Sequence, residues 1–345
     1  MWPAFRDALR TLHPAYFAFV MSTGIISLAG HLQGLTEVAI PLYWLNLAAY
    51  LLLWGLYICR VVLFGGEVRR DLSDHGRGPG FFTMVAGSGV LGSQALLIGG
   101  NLPLASTLWV ITLSLWVYLT YAILAVLITK KEKPTLAQGI NGGWLLAVVA
   151  SQAVSVLSSR LPPYYPAWGN PLLLLALVTW LWGGMLYVWI SSLIFYRILF
   201  LPLSPQDLTP PYWICMGAVA ISTLAGTGLI AQAGPHAFLH AMLPFLKGFT
   251  FFFWAVATGW IPLLVILFLW RHLIRRISLS YTPLFWGAVF PLGMYTACTY
   301  RLGEETGLAL IMSIPKGCFY VALGAWLAAF AGLARSMAEA LRRCR

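Results

Sequence analysis

Ten apolar segments, separated by short polar connections, make up most of this 345-residue chain. Each is long enough to cross about 30 Å of hydrocarbon as a helix, with some thinning of the bilayer at the shortest. The pattern therefore predicts an all-α membrane protein with ten transmembrane helices. The segments cover residues 14–32, 38–62, 81–99, 103–128, 142–158, 171–195, 212–231, 245–270, 283–299 and 315–333.

The odd-numbered segments recur at a nearly constant interval. They begin at residues 14, 81, 142, 212 and 283, which gives spacings of 67, 61, 70 and 71 residues. A repeat of this length predicts five helical hairpins. The odd segments are short and rich in glycine and hydroxyl residues, whereas the even segments are mostly longer and carry 11 of the 16 tryptophans.

This division of residue types predicts how the helices are arranged. Helices with bulky aromatic residues belong next to lipid, while helices of small residues pack closely or line a cavity. We therefore predict an inner ring of five odd helices around a central pore, inside an outer ring of five even helices. The alternative is that glycine and serine only permit tight packing around a dry core. The residues predicted to line the pore are Ser22, Thr23, Gly24, Ser88, Ser151, Ser222 and Gly293.

Composition and charge support the membrane assignment. With 60% hydrophobic and 9% charged residues, the chain has too little polar surface for a soluble globule. Its net charge of +11 does not indicate nucleic acid, because the basic residues are spread over short connections. Of the 21 Lys and Arg residues, 17 fall on the side of the two termini, which predicts cytoplasmic termini in the cell membrane. We expect a cytoplasmic arm at 1–13, one transmembrane domain at 14–335 and a basic cytoplasmic tail at 336–345.

The positions of titratable residues argue against an enzyme. All ten acidic residues lie in loops or tails, and all six histidines lie at or beyond segment ends. Proton relays, intramembrane metalloenzymes and haem proteins need ionisable or ligating side chains at depth. His236 and His240 have the spacing of a metal pair on one helix face, although surface imidazoles at an outer loop are more often solvated. We therefore expect no cofactor and no metal. Free thiols are expected at Cys59, Cys215, Cys298, Cys318 and Cys344.

Several features favour small anions. Five parallel helices with cytoplasmic N-termini would each place about half a positive charge at that entrance. Arg301, Lys247 and Lys316 fall on the opposite side, where they could draw anions to the outer mouth. The alternative is that these cations cap helix ends or reach to the interface, and Glu304 or Glu305 is available to pair with Arg301.

The ninth segment is interrupted by Phe290-Pro291, with Gly287 and Gly293 on either side. A proline inside a helix removes a backbone donor, which predicts a kink at Phe290. Within a membrane the freed carbonyl must be covered by protein or face a water-filled cavity, so the segment should face inward. The alternative is an ordinary packed phenylalanine beside an ordinary kink.

Two motifs carry a resemblance to a known family. The opening Pro14-Ala-Tyr-Phe-Ala-Phe-Val-Met-Ser-Thr-Gly24 and the ninth-segment Phe290-Pro291-Leu-Gly resemble the tellurite-resistance/dicarboxylate transporter (TDT) family, which includes TehA, fungal malate and sulfite transporters and the plant slow anion channel. The resemblance implies five hairpins around a pore, a homotrimer with one pore per subunit, and Phe290 with Pro291 as the gate. In that family several inner helices are kinked by internal prolines, whereas here only the ninth clearly is.

These observations lead to one preferred function and one alternative. We expect an anion channel or transporter in the lipid bilayer that conducts small anions through a pore gated by Phe290. The alternative is a secondary carrier, proton-coupled or exchanging, for C4-dicarboxylates such as malate, or a sulfite exporter. An intramembrane enzyme would need ligands or nucleophiles that the segments do not contain.

Overall fold

The computed structural model describes residues 2–343, so Cys344 and the last residue of the predicted basic tail lie outside the described residues. Over this range the chain is α-helical and has no strand, as predicted. The four cysteines within it are free thiols. The helices are α1 (Trp2–Thr11), α2 (Ala18–Leu32), α3 (Thr36–Leu72), α4 (Phe82–Leu97), α5 (Leu102–Thr129), α6 (Leu136–Gly139), α7 (Leu146–Ser158), α8 (Gly169–Phe200), α9 (Ile214–Ala231), α10 (Ala237–Ala241), α11 (Leu243–Leu269), α12 (Trp286–Thr306) and α13 (Ala309–Arg343).

Helix length and hydropathy identify a multi-pass membrane protein. Among the described residues, eight helices are long and apolar enough to cross a membrane. The helix at Gly142–Ser158 is apolar but shorter, and α12 is not among the eight. The last turns of α12 carry Arg301 and two glutamates. Several long helices extend beyond their predicted segments; α13, for example, begins at Ala309, so that Pro315 lies inside it.

Five helices, α2, α4, α7, α9 and α12, each begin with a 3₁₀ turn, and a further such turn, Pro166–Trp168, precedes α8. Every one of these turns starts at proline or glycine. Proline suits a first turn because its missing N–H would have had no helical partner. Segment length and hydropathy do not predict these turns, although the recurrence of proline or glycine followed by an aromatic residue or leucine is visible in the chain. The turns that begin the five helices are Pro14–Phe17, Gly78–Phe81, Gly142–Leu145, Pro210–Trp213 and Pro283–Phe285.

The same five helices, called here the short helices, pack against one another in a closed series. Helix α2 packs on α4, α4 on α7, α7 on α9, α9 on α12 and α12 back on α2. Each also packs against the long helix that follows it, namely α3, α5, α8, α11 or α13. In α2, α4 and α9 between 83% and 94% of the apolar stretch is buried, against 22% to 28% in α3, α5, α11 and α13. The short helices therefore form the interior, and the long helices provide most of the lipid-facing surface.

The 3₁₀ turns also contact one another in sequence, and glycine makes the closest of these contacts possible. A β-carbon built on Gly142 would overlap the carbonyl oxygen of Pro211 in the turn before α9. The backbones of the two turns therefore meet directly. Any side chain at position 142 would push the start of α7 away from the start of α9.

The substitution Gly142→Ala tests this contact. We expect it to reduce stability by about 1–3 kcal/mol, the usual cost of forcing extra atoms into a packed site. The measurement is the midpoint of thermal unfolding of the detergent-purified protein. Gly55→Ala is the matched control, because Gly55 is exposed on α3 and an added β-carbon there meets no atom within 4 Å. Equal midpoints for the two variants would contradict the proposed close approach.

Candidate functional site

Two small cavities lie on the common axis of the short helices. The first has a volume of about 20 Å³ and the second about 10 Å³, so each has room for roughly one water molecule. The first is lined by Ala15, Ala18, Met21, Thr83, Leu146, Pro211, Ile214, Pro283, Leu284, Trp286, Gly287 and Phe290. The second is lined by Ile25, Leu28, Gly89, Val90, Ser93, Ala153, Val156, Arg160, Ile221, Leu224 and Met294.

The lining residues also give the direction of the short helices. The first cavity is surrounded by the beginnings of these helices, and the second by their later turns. The five helices therefore run parallel to one another. We call the side at which they begin the start side and the side at which they end the end side.

Phe290 faces this axis. Its side chain lines the first cavity and is only 1% exposed, which excludes a lipid-facing orientation. Met294, one helical turn later on α12, lines the second cavity. The two cavities are separate. Phe290 and Met294 lie on the same face of α12, with Phe290 at the first cavity and Met294 at the second.

Pro291 fits into a gap between α12 and α9. Helix α12 remains helical through Pro291. A β-carbon built on Gly217 of α9 would lie 2.7 Å from Cγ of Pro291, so the proline ring occupies the space that a larger residue would need. The hydroxyl of Ser22 on α2 donates to the carbonyl oxygen of Trp286 at 2.7 Å, next to Gly287, whose carbonyl has lost its donor to the proline.

Four of the five hydroxyl residues predicted to line the pore form hydrogen bonds with the long helices, three through the hydroxyl and Ser222 through its backbone carbonyl. A buried hydroxyl or carbonyl needs a hydrogen-bond partner, and tryptophan and tyrosine side chains of the long helices provide it. None of these residues belongs to the lining of either cavity. Their assignment to an anion pathway stays a prediction. The bonds are Trp326 Nε1 to Thr23 Oγ1 (3.0 Å), Tyr50 OH with Ser88 Oγ (2.8 Å), Trp116 Nε1 to Ser151 Oγ (2.9 Å) and Trp180 Nε1 to the Ser222 carbonyl (2.8 Å).

The two predicted glycines also lie at helix contacts. A β-carbon on Gly24 would meet the side chains of Val90 and Asn46, and one on Gly293 would meet Ile25 and Ile26. Both glycines therefore allow neighbouring helices to approach closely. The axis itself is surrounded mainly by apolar side chains.

A positively charged side chain does reach the second cavity. Arg160, just after α7, is partly buried and lines it. Burial and the neighbouring Arg301 charge lower the pKa of Arg160 to about 10, so it stays protonated at neutral pH. Arg160 lies beyond the end of its apolar segment, so the sequence alone gives no sign that its side chain reaches the axis.

The three predicted anion-attracting residues lie on the end side but not in the cavity linings. Arg301 Nη1 donates to Glu304 Oε2 at 2.8 Å, which is the pairing that the sequence left open. Lys247 and Lys316 are exposed. Of the two histidines considered for metal, His236 bonds through Nδ1 to Asn170 Oδ1 at 2.8 Å.

An all-helical membrane protein whose buried helices run parallel around a common axis has the architecture of channels and transporters. Comparison with known proteins then identifies the family. Residues 11–334 match the family described as voltage-dependent anion channel (SLAC1), which covers nearly the whole chain. The chain belongs to this family, and the resemblance drawn from its sequence motifs is confirmed.

Two relatives show how far the similarity extends. An uncharacterized transporter of Methanocaldococcus jannaschii is 24% identical over 326 residues, which are 93% of this chain and 92% of that protein. An uncharacterized membrane protein of Mycobacterium tuberculosis is 40% identical over 159 residues, 46% of this chain and 80% of that protein.

The bond between Trp326 and Thr23 can be tested for its contribution to stability. We expect Trp326→Phe to reduce stability by about 1 kcal/mol, the scale measured for hydrogen bonds between membrane helices. Thr23→Val should cost a similar amount, and the double variant little more than either alone. The measurement is the midpoint of thermal unfolding in detergent for the two single variants and the double variant. Trp44→Phe is the control, because Trp44 is 61% exposed on α3. Strictly additive losses would show that the two side chains are not coupled.

Proposed function

We propose that the chain is a multi-pass anion channel in which five helical hairpins place their first helices around a pathway that Phe290 closes. The observation that carries this proposal is the position of Phe290 at the first cavity, on the axis shared by the five short helices.

The helix contacts support the hairpin arrangement. Each short helix packs on the long helix that follows it, and the short helices contact one another in a closed series. In addition, each long helix forms a side-chain hydrogen bond with the next short helix along the series. For the last hairpin this bond joins α13 back to α2 through Trp326 and Thr23. Such regular contacts are expected of repeated hairpins.

The gate would act by steric block and by excluding water. The linings of both cavities are largely apolar, and each holds about one water molecule, so a hydrated anion cannot pass in this conformation. Displacement of the Phe290 ring would join the two cavities. Helix α12 already lacks one backbone hydrogen bond at Pro291, which lowers the cost of local adjustment beside the gate.

Anions are the proposed cargo for three reasons. The family is described as an anion channel family. The start side collects five helix N-termini, whose partial charges favour anions. The second cavity has Arg160 in its lining and no acidic residue. The helix N-termini and Arg160 therefore both favour an anion on the axis of the short helices.

We further propose the orientation and assembly that sequence and resemblance imply. The start side would be cytoplasmic, together with both termini, because 17 of the 21 basic residues fall on that side of the predicted topology. The protein would sit in the cell membrane as a homotrimer with one pathway per subunit. The exposed apolar faces of the long helices provide surface for both lipid and neighbouring subunits.

A secondary carrier is the second candidate. Two relatives of nearly the same length are named as uncharacterized transporters. The two separate cavities on either side of a barrier are also compatible with alternating access. C4-dicarboxylates such as malate, or sulfite, would be the cargo.

Phe290→Ala tests the gate. Removing the ring should raise anion flux at least about tenfold, since a barrier lower by about 1.4 kcal/mol already has that effect. The measurement is dye-reported nitrate or chloride flux in proteoliposomes. Phe200→Ala is the control, because Phe200 is 71% exposed at the end of α8 and its loss should change nothing. An unchanged flux in folded Phe290→Ala protein would remove Phe290 as the gate.

Reversal potentials separate the channel from the carrier. For a channel, the reversal potential of the Phe290→Ala protein should follow the anion gradient and stay constant when a pH gradient is imposed. A proton-coupled carrier would respond to both gradients. The recordings should use chloride, nitrate, malate and sulfite side by side, with empty liposomes as the control. A shift with pH would favour the carrier.

A further inference from the structure

Arg160 has no partner that satisfies its charge. Its backbone N–H bonds to Leu157 at 3.2 Å, but its guanidinium has no hydrogen bond or ion pair within residues 2–343. A guanidinium carries five donors, and none of the Arg160 nitrogens is among the fully buried side-chain atoms without a partner, so they remain open to an incoming ligand. The side chain lines the second cavity, whose other residues are apolar except Ser93. The hydroxyl of Ser93 already donates to the Gly89 carbonyl at 3.1 Å.

Among the described residues, none of the three acidic residues on this side, Glu37, Glu304 and Glu305, forms an ion pair with Arg160. Glu304 pairs with Arg301 at 2.8 Å. Glu305 lies near Glu304, Arg301 and Lys247, and burial together with the Glu304 charge raises the pKa of its carboxyl. Arg301 itself acts on Arg160 as a repelling charge. The electrostatic surroundings of Arg160 therefore favour an incoming negative charge that the chain does not supply.

We propose that Arg160 is the anion-binding residue of the second cavity, where its guanidinium pairs with an anion on the end side of Phe290. This inference rests on the proposed function and adds a defined binding position to it. A cation that faces a cavity from one wall and remains partly exposed holds an anion weakly enough to release it, as conduction requires.

The site fits a small monovalent anion such as nitrate or chloride. Arg160 is the charged residue in the lining of the second cavity, and Arg301 is already paired with Glu304, so the wall carries a single free positive group. A C4-dicarboxylate has two charges several bonds apart and would need a second free cation. The planar fork of a guanidinium also suits a planar oxyanion through two parallel hydrogen bonds.

The first experiment measures flux in the open background. Phe290→Ala is combined with Arg160→Gln, Arg160→Lys or Lys131→Gln; Lys131 is an exposed loop residue on the start side and controls for loss of one charge. We expect Arg160→Gln to lower nitrate flux at least about tenfold, Arg160→Lys to retain most of it, and Lys131→Gln to change little. Undiminished flux and selectivity in the Arg160→Gln double variant would overturn the role of Arg160.

The second experiment measures binding without transport. Nitrate should raise the thermal midpoint of the purified wild-type protein in a saturable manner, because a ligand that binds the folded state stabilises it. Arg160→Gln should abolish this shift, and Lys131→Gln should keep it. If Arg160→Gln does not fold, the test uses Arg160→Lys in its place. The proposal then requires that the nitrate concentration giving half of the thermal shift rise at least about threefold relative to the wild type. Equal stabilisation by malate would overturn the assignment to small monovalent anions.

The two proposals fail in different ways. If Phe290→Ala carries no anion flux while nitrate still stabilises the wild type through Arg160, the proposed gate fails and the binding site stands. If Phe290→Ala conducts and Arg160→Gln affects neither flux nor stabilisation, the gate stands and the binding site fails.

Discussion

The fold depends on hydrogen bonds between aromatic side chains of the long helices and polar groups of the buried short helices. Inside a bilayer the hydrophobic effect does not drive helices together, so packing and interhelical hydrogen bonds must do so. The donors recur at corresponding places, as in Trp116 to Ser151 on α7 and Trp254 to Thr299 on α12. Each long helix thereby holds the next short helix, and the bond from α13 to α2 joins the two ends of the chain.

Because these bonds turn the polar groups outward, the axis is left to apolar side chains. Close contacts at glycine bring the short helices near enough to enclose only water-sized spaces, as where Gly142 meets Pro211. An ion path built in this way needs no fixed charge along most of its length. In the proposed channel, specificity would then come from a few groups at the ends of the path, and Arg160 is an unpaired charge in the lining of the second cavity.

Much of the fold follows from the sequence, and part of the site does not. Segment length, hydropathy and the tryptophan distribution predict an all-helical membrane protein, and the proline argument predicts that Phe290 faces inward. The rotation of a short helix about its own axis cannot be predicted, because a helix buried on nearly all sides has no polar face to mark its orientation. Ser88 and Ser151, which are predicted to line the pore, bond to Tyr50 and Trp116 of the long helices, and the sequence could not indicate these contacts. Arg160 was missed for a related reason, since a residue beyond a segment end gives no sign of which way it points.

The contact between Pro291 and Gly217 limits how the barrier can move. With the proline ring pressed against the α9 backbone, α12 cannot shift toward α9 as a rigid rod. Conduction would then begin with the rotation of one aromatic side chain. Domain-scale rearrangements take microseconds to milliseconds, and a side-chain rotation is faster. Single-channel currents from such a protein would show brief, flickering openings instead of long, stable ones.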